Sequence, residues 1–511
     1  MNRRPLSALL AAALAAALAP AARAALLTRA RLDALFDGRR PLPAAAVGAP
    51  AAARVSALSA VESGSLDAWL ANERQVALQK MEANISPAGA APGTVAASPS
   101  RANPDYWYNW RRDAALTMRR IVALYESSSD PATKAKYLRM LTDYAAFVRH
   151  EQTVPGPGGL GEPKYGMDGK PFTGPWGRPQ DDGPAEEAGT LIELARAFLA
   201  AGRTDLAAGL WGDASSGIKA DLEYVSHHWQ ETSFDVWEEV KAHHLDTQIA
   251  QRDALREGAW LARRLGDDGA AGWYDEQAAA IDEQLGRYWN AAQGYLDSSL
   301  DQDGGLQGKD SGLDSAVILA AIHRLPVDGE ALTPDESAAF SVVDPRILAT
   351  AEALKARFRA EYAINGRPGA PGVAIGRYPE DRYFGGNPWV LLTAAFAQLD
   401  YMAADEYIAD GKIDVTAADA GFWSDLLGRP VAAGTSWRSG DGAFGAAIQA
   451  LKSDGDAELA CVRLHANPDG SLSEQMDRDS GYMTSARDLT WNYAAMLSAL
   501  SARDKLAADR R

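Results

Sequence analysis

Asp182-Gly-Pro-Ala-Glu-Glu-Ala-Gly-Thr-Leu-Ile-Glu-Leu-Ala-Arg-Ala-Phe198 is the stretch that sets the fold class. Asp182-Gly183-Pro184 is a helix start signal, and Glu186 and Glu187 follow in the first turn, where carboxylates suit the helix dipole. Leu191, Leu194 and Phe198 then recur at the 3.6-residue spacing that lines one helix face. The same period runs through Ala114, Met118, Ile121, Val122 and Tyr125. It returns in Ala254, Gly258, Leu261, Ala262 and Leu265, with Gly266 as a stop. Ser485 with Asp488 reads as a capping box opening a helix that turns Leu489, Tyr493, Met496, Leu497 and Leu500 inward. About a dozen segments fit this template. Alternating strands are scarce, so the chain reads as all-α. Paired helices point to helical hairpins, and periodicity leaves a bundle, a solenoid and a closed ring equally open.

The 511 residues carry enough apolar side chains for a large core, and no Pro/Ser/Thr linker divides them. One catalytic-sized domain over residues 61–511 is expected. Ahead of it, Arg3 and Arg4, an apolar run from Leu6 to Ala19 and Ala22-Arg23-Ala24 make residues 1–24 a signal peptide, followed by an Ala/Pro-rich leader over 25–60. This implies a secreted or periplasmic protein with no membrane contact after cleavage, expected to be a monomer. The formal net charge of −17 argues against nucleic acid and anionic membranes as partners and is indifferent to neutral sugars. The single cysteine, Cys461, sits among Leu459, Val462 and Leu464 and reads as a buried, inert thiol. His227-His228 and His243-His244 lack spaced partners, so neither a metal nor a cofactor is expected. Asn84-Ile-Ser86 matches a glycosylation acceptor, a pattern frequent by chance.

Between the helical segments run long connectors, 153–184, 294–312 and 365–388, of the kind that usually carry function. Five stretches combine Trp, Tyr, carboxylates and Arg. They are Asn103-Pro-Asp-Tyr-Trp-Tyr-Asn-Trp-Arg-Arg-Asp113; Gly159 to Pro184; Phe234-Asp-Val-Trp-Glu-Glu-Val240; Gly376-Arg-Tyr-Pro-Glu-Asp-Arg-Tyr-Phe-Gly-Gly-Asn-Pro-Trp389; and Gly470-Ser-Leu-Ser-Glu-Gln475 with Ser485 to Tyr493. A sugar ring has apolar faces for aromatic stacking and a polar rim for charge-assisted hydrogen bonds. Breaking its glycosidic bond takes two carboxyl groups, one protonating the leaving oxygen and one activating water or attacking. With 68 acidic residues, composition alone does not choose the pair. Taken singly, Glu238-Glu239 would be a solvated helix face, Trp237 a core residue and Arg112-Asp113 a surface ion pair worth little.

Taken together, these motifs resemble the glucoamylases of glycoside hydrolase family 15, nearest the fungal type, from about Leu66 to Leu500. The resemblance rests on Ala97-Ser-Pro-Ser with Asn103-Pro-Asp-Tyr and Trp110-x-Arg112-Asp113; on Gly159-Leu-Gly-Glu-Pro-Lys164, Thr173-Gly-Pro-Trp-Gly-Arg-Pro-Gln180 and Asp182-Gly-Pro184; and on Asp235-Val-Trp-Glu-Glu-Val240, Gly376-Arg-Tyr-Pro-Glu-Asp381, Gly386-Asn-Pro-Trp389, Ser473-Glu-Gln475 and Ser485-Ala-Arg-Asp-Leu-Thr-Trp491. It implies an (α/α)6 barrel and an inverting exo-hydrolase that releases β-D-glucose from the non-reducing ends of starch, maltooligosaccharides and other α-glucans. By position it makes Glu238 the general acid and Glu474 the general base, which an inverting enzyme holds about 6.5–9.5 Å apart. Glu238 is then expected in an apolar or acidic setting, with Trp237 and Glu239 contributing. Arg112 and Asp113 match groups that grip the 4- and 6-hydroxyls of the terminal glucose, and Arg377 and Glu239 match contacts at the next subsite. Tyr106, Trp110, Trp176, Tyr383 and Trp491 match the aromatic lining, and Tyr106 and Ser485 match groups that position the base.

The chain departs from the fungal pattern at Lys241-Ala-His-His-Leu-Asp246, expected to lie beside the next subsite, which leaves the preference among α-1,4, α-1,6 and shorter substrates open. With one cysteine it lacks the fungal disulfides, and no starch-binding domain is expected after the last helical segment, so soluble oligosaccharides are expected to be better substrates than raw granules. The nearest rival is a same-fold hydrolase of another linkage, of glucodextranase or trehalase type. A non-catalytic sugar-binding relative is disfavoured by the presence of both Glu238 and Glu474.

Overall fold

Fourteen α-helices are found among the residues described by the computed structural model, 65–325 and 339–508. In chain order they are α1 Leu66–Ala83, α2 Arg111–Ser127, α3 Pro131–Thr153, α4 Asp182–Ala200, α5 Thr204–Trp211, α6 Ile218–His228, α7 Leu245–Leu265, α8 Asp268–Leu285, α9 Ala316–Ile322, α10 Pro345–Glu361, α11 Val390–Asp410, α12 Ala420–Leu426, α13 Gly442–His465 and α14 Thr490–Ala508. Their ends obey local chemistry. Asp130 and Asp267 accept backbone N–H groups at the starts of α3 and α8, Pro131 and Pro345 open α3 and α10, and Gly266 ends α7 at φ 82°. The signal peptide and leader expected over 1–60 lie outside the described residues.

Packing closes the helices into a ring. α2 packs on α4, α4 on α7, α7 on α9, α9 on α11, α11 on α14, and α14 returns to α2. Outside each stands its partner: α3 on α2, α6 on α4, α8 on α7, α10 on α9, α13 on α11 and α1 on α14. This is an (α/α)6 barrel, and it settles the choice among bundle, solenoid and ring. Inner helices show it in their burial. Every residue of α9 is buried, and α11 is buried almost without a break from Val390 to Ala404, as helices surrounded on all sides must be.

The six connectors that lead from an outer to an inner helix are 84–110, 154–181, 229–244, 286–315, 362–389 and 466–489. They all reach the same rim, the N-terminal ends of the inner helices. They carry short antiparallel pairings: β1 Tyr108–Trp110 with β2 Lys164–Gly166; β3 Ser233–Phe234 and β5 Ser299–Gly305 on either side of β4 Val240–His244; and β6 Ser473–Met476 with β7 Met483–Arg487. Two of the return links, 128–130 and 266–267, are far shorter.

One expectation is corrected by the strand β7. Ser485 does not cap a helix; it lies in β7, and α14 begins only at Thr490. Asn84 is buried and its amide donates to Asp488 O and Thr490 Oγ1, so it is no accessible glycosylation acceptor.

Candidate active site

One pocket, with about 920 Å³ of open space, lies at the rim where these connectors converge. Glu238, Glu474, Tyr106, Trp110, Arg112, Asp113, Trp176, Trp237, Glu239, Arg377, Tyr383 and Trp491 all line it. Ser485 stands behind, with its hydroxyl donating to Glu474 Oε2. Ala97, Gly177, Val236, Trp389 and Leu489 complete the wall. Five of the six connectors thus deliver side chains to one place, and the first turns of α2 and α14 add Arg112, Asp113 and Trp491.

Glu238 sits on a tight turn in a left-handed backbone conformation, φ 67°, which a non-glycine residue adopts only when its surroundings impose it. The turn closes through Glu238 N–H to Asp235 O at 2.8 Å and Asp235 N–H to Val240 O at 2.9 Å. Asp235 Oδ1 accepts the N–H groups of Glu239 and Val240 at 2.7 and 3.0 Å. Glu238 Oε1 receives Trp110 Nε1 at 2.7 Å and Gln180 Nε2 at 3.0 Å. Among the described residues nothing donates to its Oε2. Gly177 has to be glycine here, because a Cβ would stand 2.9 Å from Glu238 O and 2.8 Å from the Phe234 ring.

Glu474 is held differently. It lies in β6, 1% exposed, where the pairing with β7 is irregular. One extra residue falls on the β7 side, beside Ser485, whose φ is 65°. Such bulges re-aim side chains, and this one turns the Ser485 hydroxyl onto the carboxylate. Gln475 Nε2 also donates to Oε2, at 3.0 Å, while the buried Oε1 takes no hydrogen bond from the described residues. Burial pushes Glu474 up to about 7, against the pull of Ser485. Tyr106 stands on the same wall with its hydroxyl 2.6 Å from that of Tyr383.

Arg112 and Asp113 form a buried pair, not a surface one. Arg112 binds Asp182 at 2.9 Å and Gln180 Oε1 at 3.2 Å, and lies 3.3 Å from Asp113. Arg112 Nε and Asp113 Oδ2 line the pocket buried and without hydrogen bonds, free to meet a ligand's hydroxyls. Burial pushes Asp113 up to about 6, with Arg112 opposing. Arg377 is gripped by Asp381 through two bonds and donates to Glu239 Oε1 at 3.1 Å, with the rings of Trp237, Tyr383 and Trp389 about it. Lys164 stiffens the opposite wall. Its ammonium lies 3.7 Å from the Trp176 ring centre and 4.4 Å from that of Trp110, and burial lowers it to about 8.

Lys241-Ala-His-His-Leu-Asp246 does not border the pocket as expected. It forms β4 and the start of α7, with His244 buried and bonded to Ser299 at 2.8 Å. Sequence reading also missed Gln180 and Trp389 as site groups, although both lie inside quoted motifs. Cys461 is buried in α13, as expected. No cluster of metal-ligating side chains occurs among the described residues, and no described helix is long and apolar enough to cross a membrane.

Comparison with known proteins gives a consistent answer. Residues 72–501 match the model for glycosyl hydrolases family 15. The chain is 36% identical to glucoamylase 1 of Rhizopus oryzae over 86% of its own length and 71% of the relative's. It is 31% identical to a probable glucoamylase of Schizosaccharomyces pombe over 87% of this chain and 93% of that one. Among solved structures, the glucoamylase of Saccharomycopsis fibuligera superposes with a TM-score of 0.78 at 30% identity, covering 87% of this chain and 96% of that chain.

Proposed function

The chain belongs to the glycosyl hydrolases of family 15, and on that premise we propose that Glu238 protonates the glycosidic oxygen while Glu474 activates the attacking water. The activity is that of a glucan 1,4-α-glucosidase. The observation that carries the assignment is the matched tethering of the two carboxylates in one pocket. Each has one oxygen tied, Glu238 by Trp110 and Gln180 and Glu474 by Ser485 and Gln475, and one oxygen left to act. Two carboxyl groups used in this way invert the anomeric carbon and release β-D-glucose.

Arg112 and Asp113 grip the terminal hydroxyls of a chain end, which makes the attack exo, and Glu239 with Arg377 meets the second sugar. Starch, maltooligosaccharides and related α-glucans are the substrates of this reading. Residues 61–511 act as one catalytic unit, exported by the N-terminal signal into the periplasm or the medium. Proton NMR of fresh digests of maltoheptaose and soluble starch tests it. β-Glucose appearing first, with no internal cleavage products, is expected. α-Glucose would overturn the carboxylate roles, and absence of product would shift the linkage to one tested with isomaltose and trehalose.

A further inference from the structure

The connector 286–315 supplies none of the pocket lining, yet it is as long as the connectors that do. What it does supply is Lys309, whose side chain is only 11% exposed. The Lys309 ammonium lies 2.6 Å from Asp314 Oδ2 and 3.3 Å from Asp235 Oδ2, and 4.0 Å from the ring centre of Tyr378. Each of these partners reaches the acid-bearing turn. Asp235 uses its other oxygen to hold the N–H groups of Glu239 and Val240. Asp314 receives Trp237 Nε1 on both oxygens, at 2.9 and 3.0 Å, and the Ala316 N–H at the start of α9. Tyr378 donates its hydroxyl to Glu239 Oε2.

We propose that Lys309 is a positioning residue for the general acid: one buried ammonium bridges Asp235 and Asp314 and so locks the turn Asp235–Val240 that holds Glu238 in its left-handed conformation. Glu238 is flanked on both sides by residues fixed through this ion, Trp237 by Asp314 and Glu239 by Tyr378 and Asp235. Without the ammonium, two carboxylates only 4% and 1% exposed share a space with no cation between them. One of them must then take up a proton or swing away, and either change loosens the N–H grip on the turn. Burial pushes Asp235 up, but Lys309, His244 and the N–H groups of Glu239 and Val240 together outweigh it and hold the group below the usual carboxylate range. Arg112, Asp113 and Glu474 make no contact with Lys309, so binding of the terminal glucose and activation of water are outside its reach.

The inference rests on Glu238 being the acid, and the test separates the two claims. Turnover of maltose, whose leaving alcohol needs a proton, is compared with turnover of a nitrophenyl α-glucoside, whose phenolate leaves without one. Lys309→Met is expected to lose about 10- to 100-fold in kcat on maltose, as a slightly misplaced catalytic group does. Its loss on the nitrophenyl substrate should be small, with KM unchanged there and raised at most modestly on maltose, whose second sugar meets Glu239, still held by Arg377. Equal losses on the two substrates, or none on either, would overturn the proposal. Glu238→Gln measured alongside must show the same discrimination more strongly; if it does not, the acid assignment fails and the role of Lys309 falls with it. Should Lys309→Met not fold, Lys309→Met with Asp314→Asn, which leaves a single buried carboxylate, is measured by the same criterion.

Discussion

Glu238 and Glu474 are both held by connectors of one rim, yet the fold fixes them by opposite means. Glu238 bears the backbone strain itself, φ 67°, and its side chain stays half-buried with donors only from neutral groups. Glu474 sits in ordinary extended backbone, fully buried, and the strain falls on its holder, Ser485, φ 65°. The acid is thus placed by the shape of its own turn and the base by the groups that touch it. Changes to the turn should therefore register as faulty proton donation. Changes to the neighbours of Glu474 should register as altered basicity.

The largest effects come from the carboxylates themselves. Glu238→Gln keeps the bonds from Trp110 and Gln180 to Oε1 feasible but removes the proton, so kcat on maltooligosaccharides should fall by about 10²–10⁴-fold or more. Binding of oligosaccharide, measured calorimetrically, should survive. Near-normal turnover in a folded variant would break the contrast at its root. Glu474→Gln should lose activity on a similar scale, and azide should restore part of it, because a small nucleophile needs no general base. Rescue of Glu238→Gln rather than Glu474→Gln would exchange the two roles.

The helices and the five motif stretches were legible in the sequence because local signals write them: Asp182 opens α4 and Gly266 ends α7, as read. Ring closure was not legible, since α14 meets α2 and α1 only through long-range packing. Ser485 was misread for a physical reason. Serine three residues before an acid is a helix signature, but the same hydroxyl also serves a strand, and the bulge that turns it toward Glu474 leaves no local pattern. Glu238-Glu239 and Arg112-Asp113 look like surface charge one pair at a time, and only the fold buries them. Gln180, Trp389 and Lys309 are common residue types whose meaning lies in what they touch across the chain.

The smallest effect, and the most direct measure of the contrast, concerns Ser485. Replacing it with glycine removes the hydroxyl while favouring the left-handed backbone, whereas alanine would add strain at φ 65° and confuse the result. The Ser485 hydroxyl donates to Glu474 and so stabilises its charged form, opposing the burial that pushes it up to about 7. Without it the carboxylate holds its proton to still higher pH. The base works only when deprotonated, so the acidic limb of kcat/KM must move upward in pH, with low-pH activity lost first. A hydrogen bond to a charged group contributes about 1.5–3 kcal/mol, and about 1.4 kcal/mol corresponds to one pKa unit. The limb in Ser485→Gly should therefore move by about one to two units, with less than about tenfold loss well above it. The pH profile of kcat/KM on maltose decides the matter. An unmoved limb would mean that ionisation of Glu474 does not set it, and that the base, like the acid, is governed by backbone placement alone.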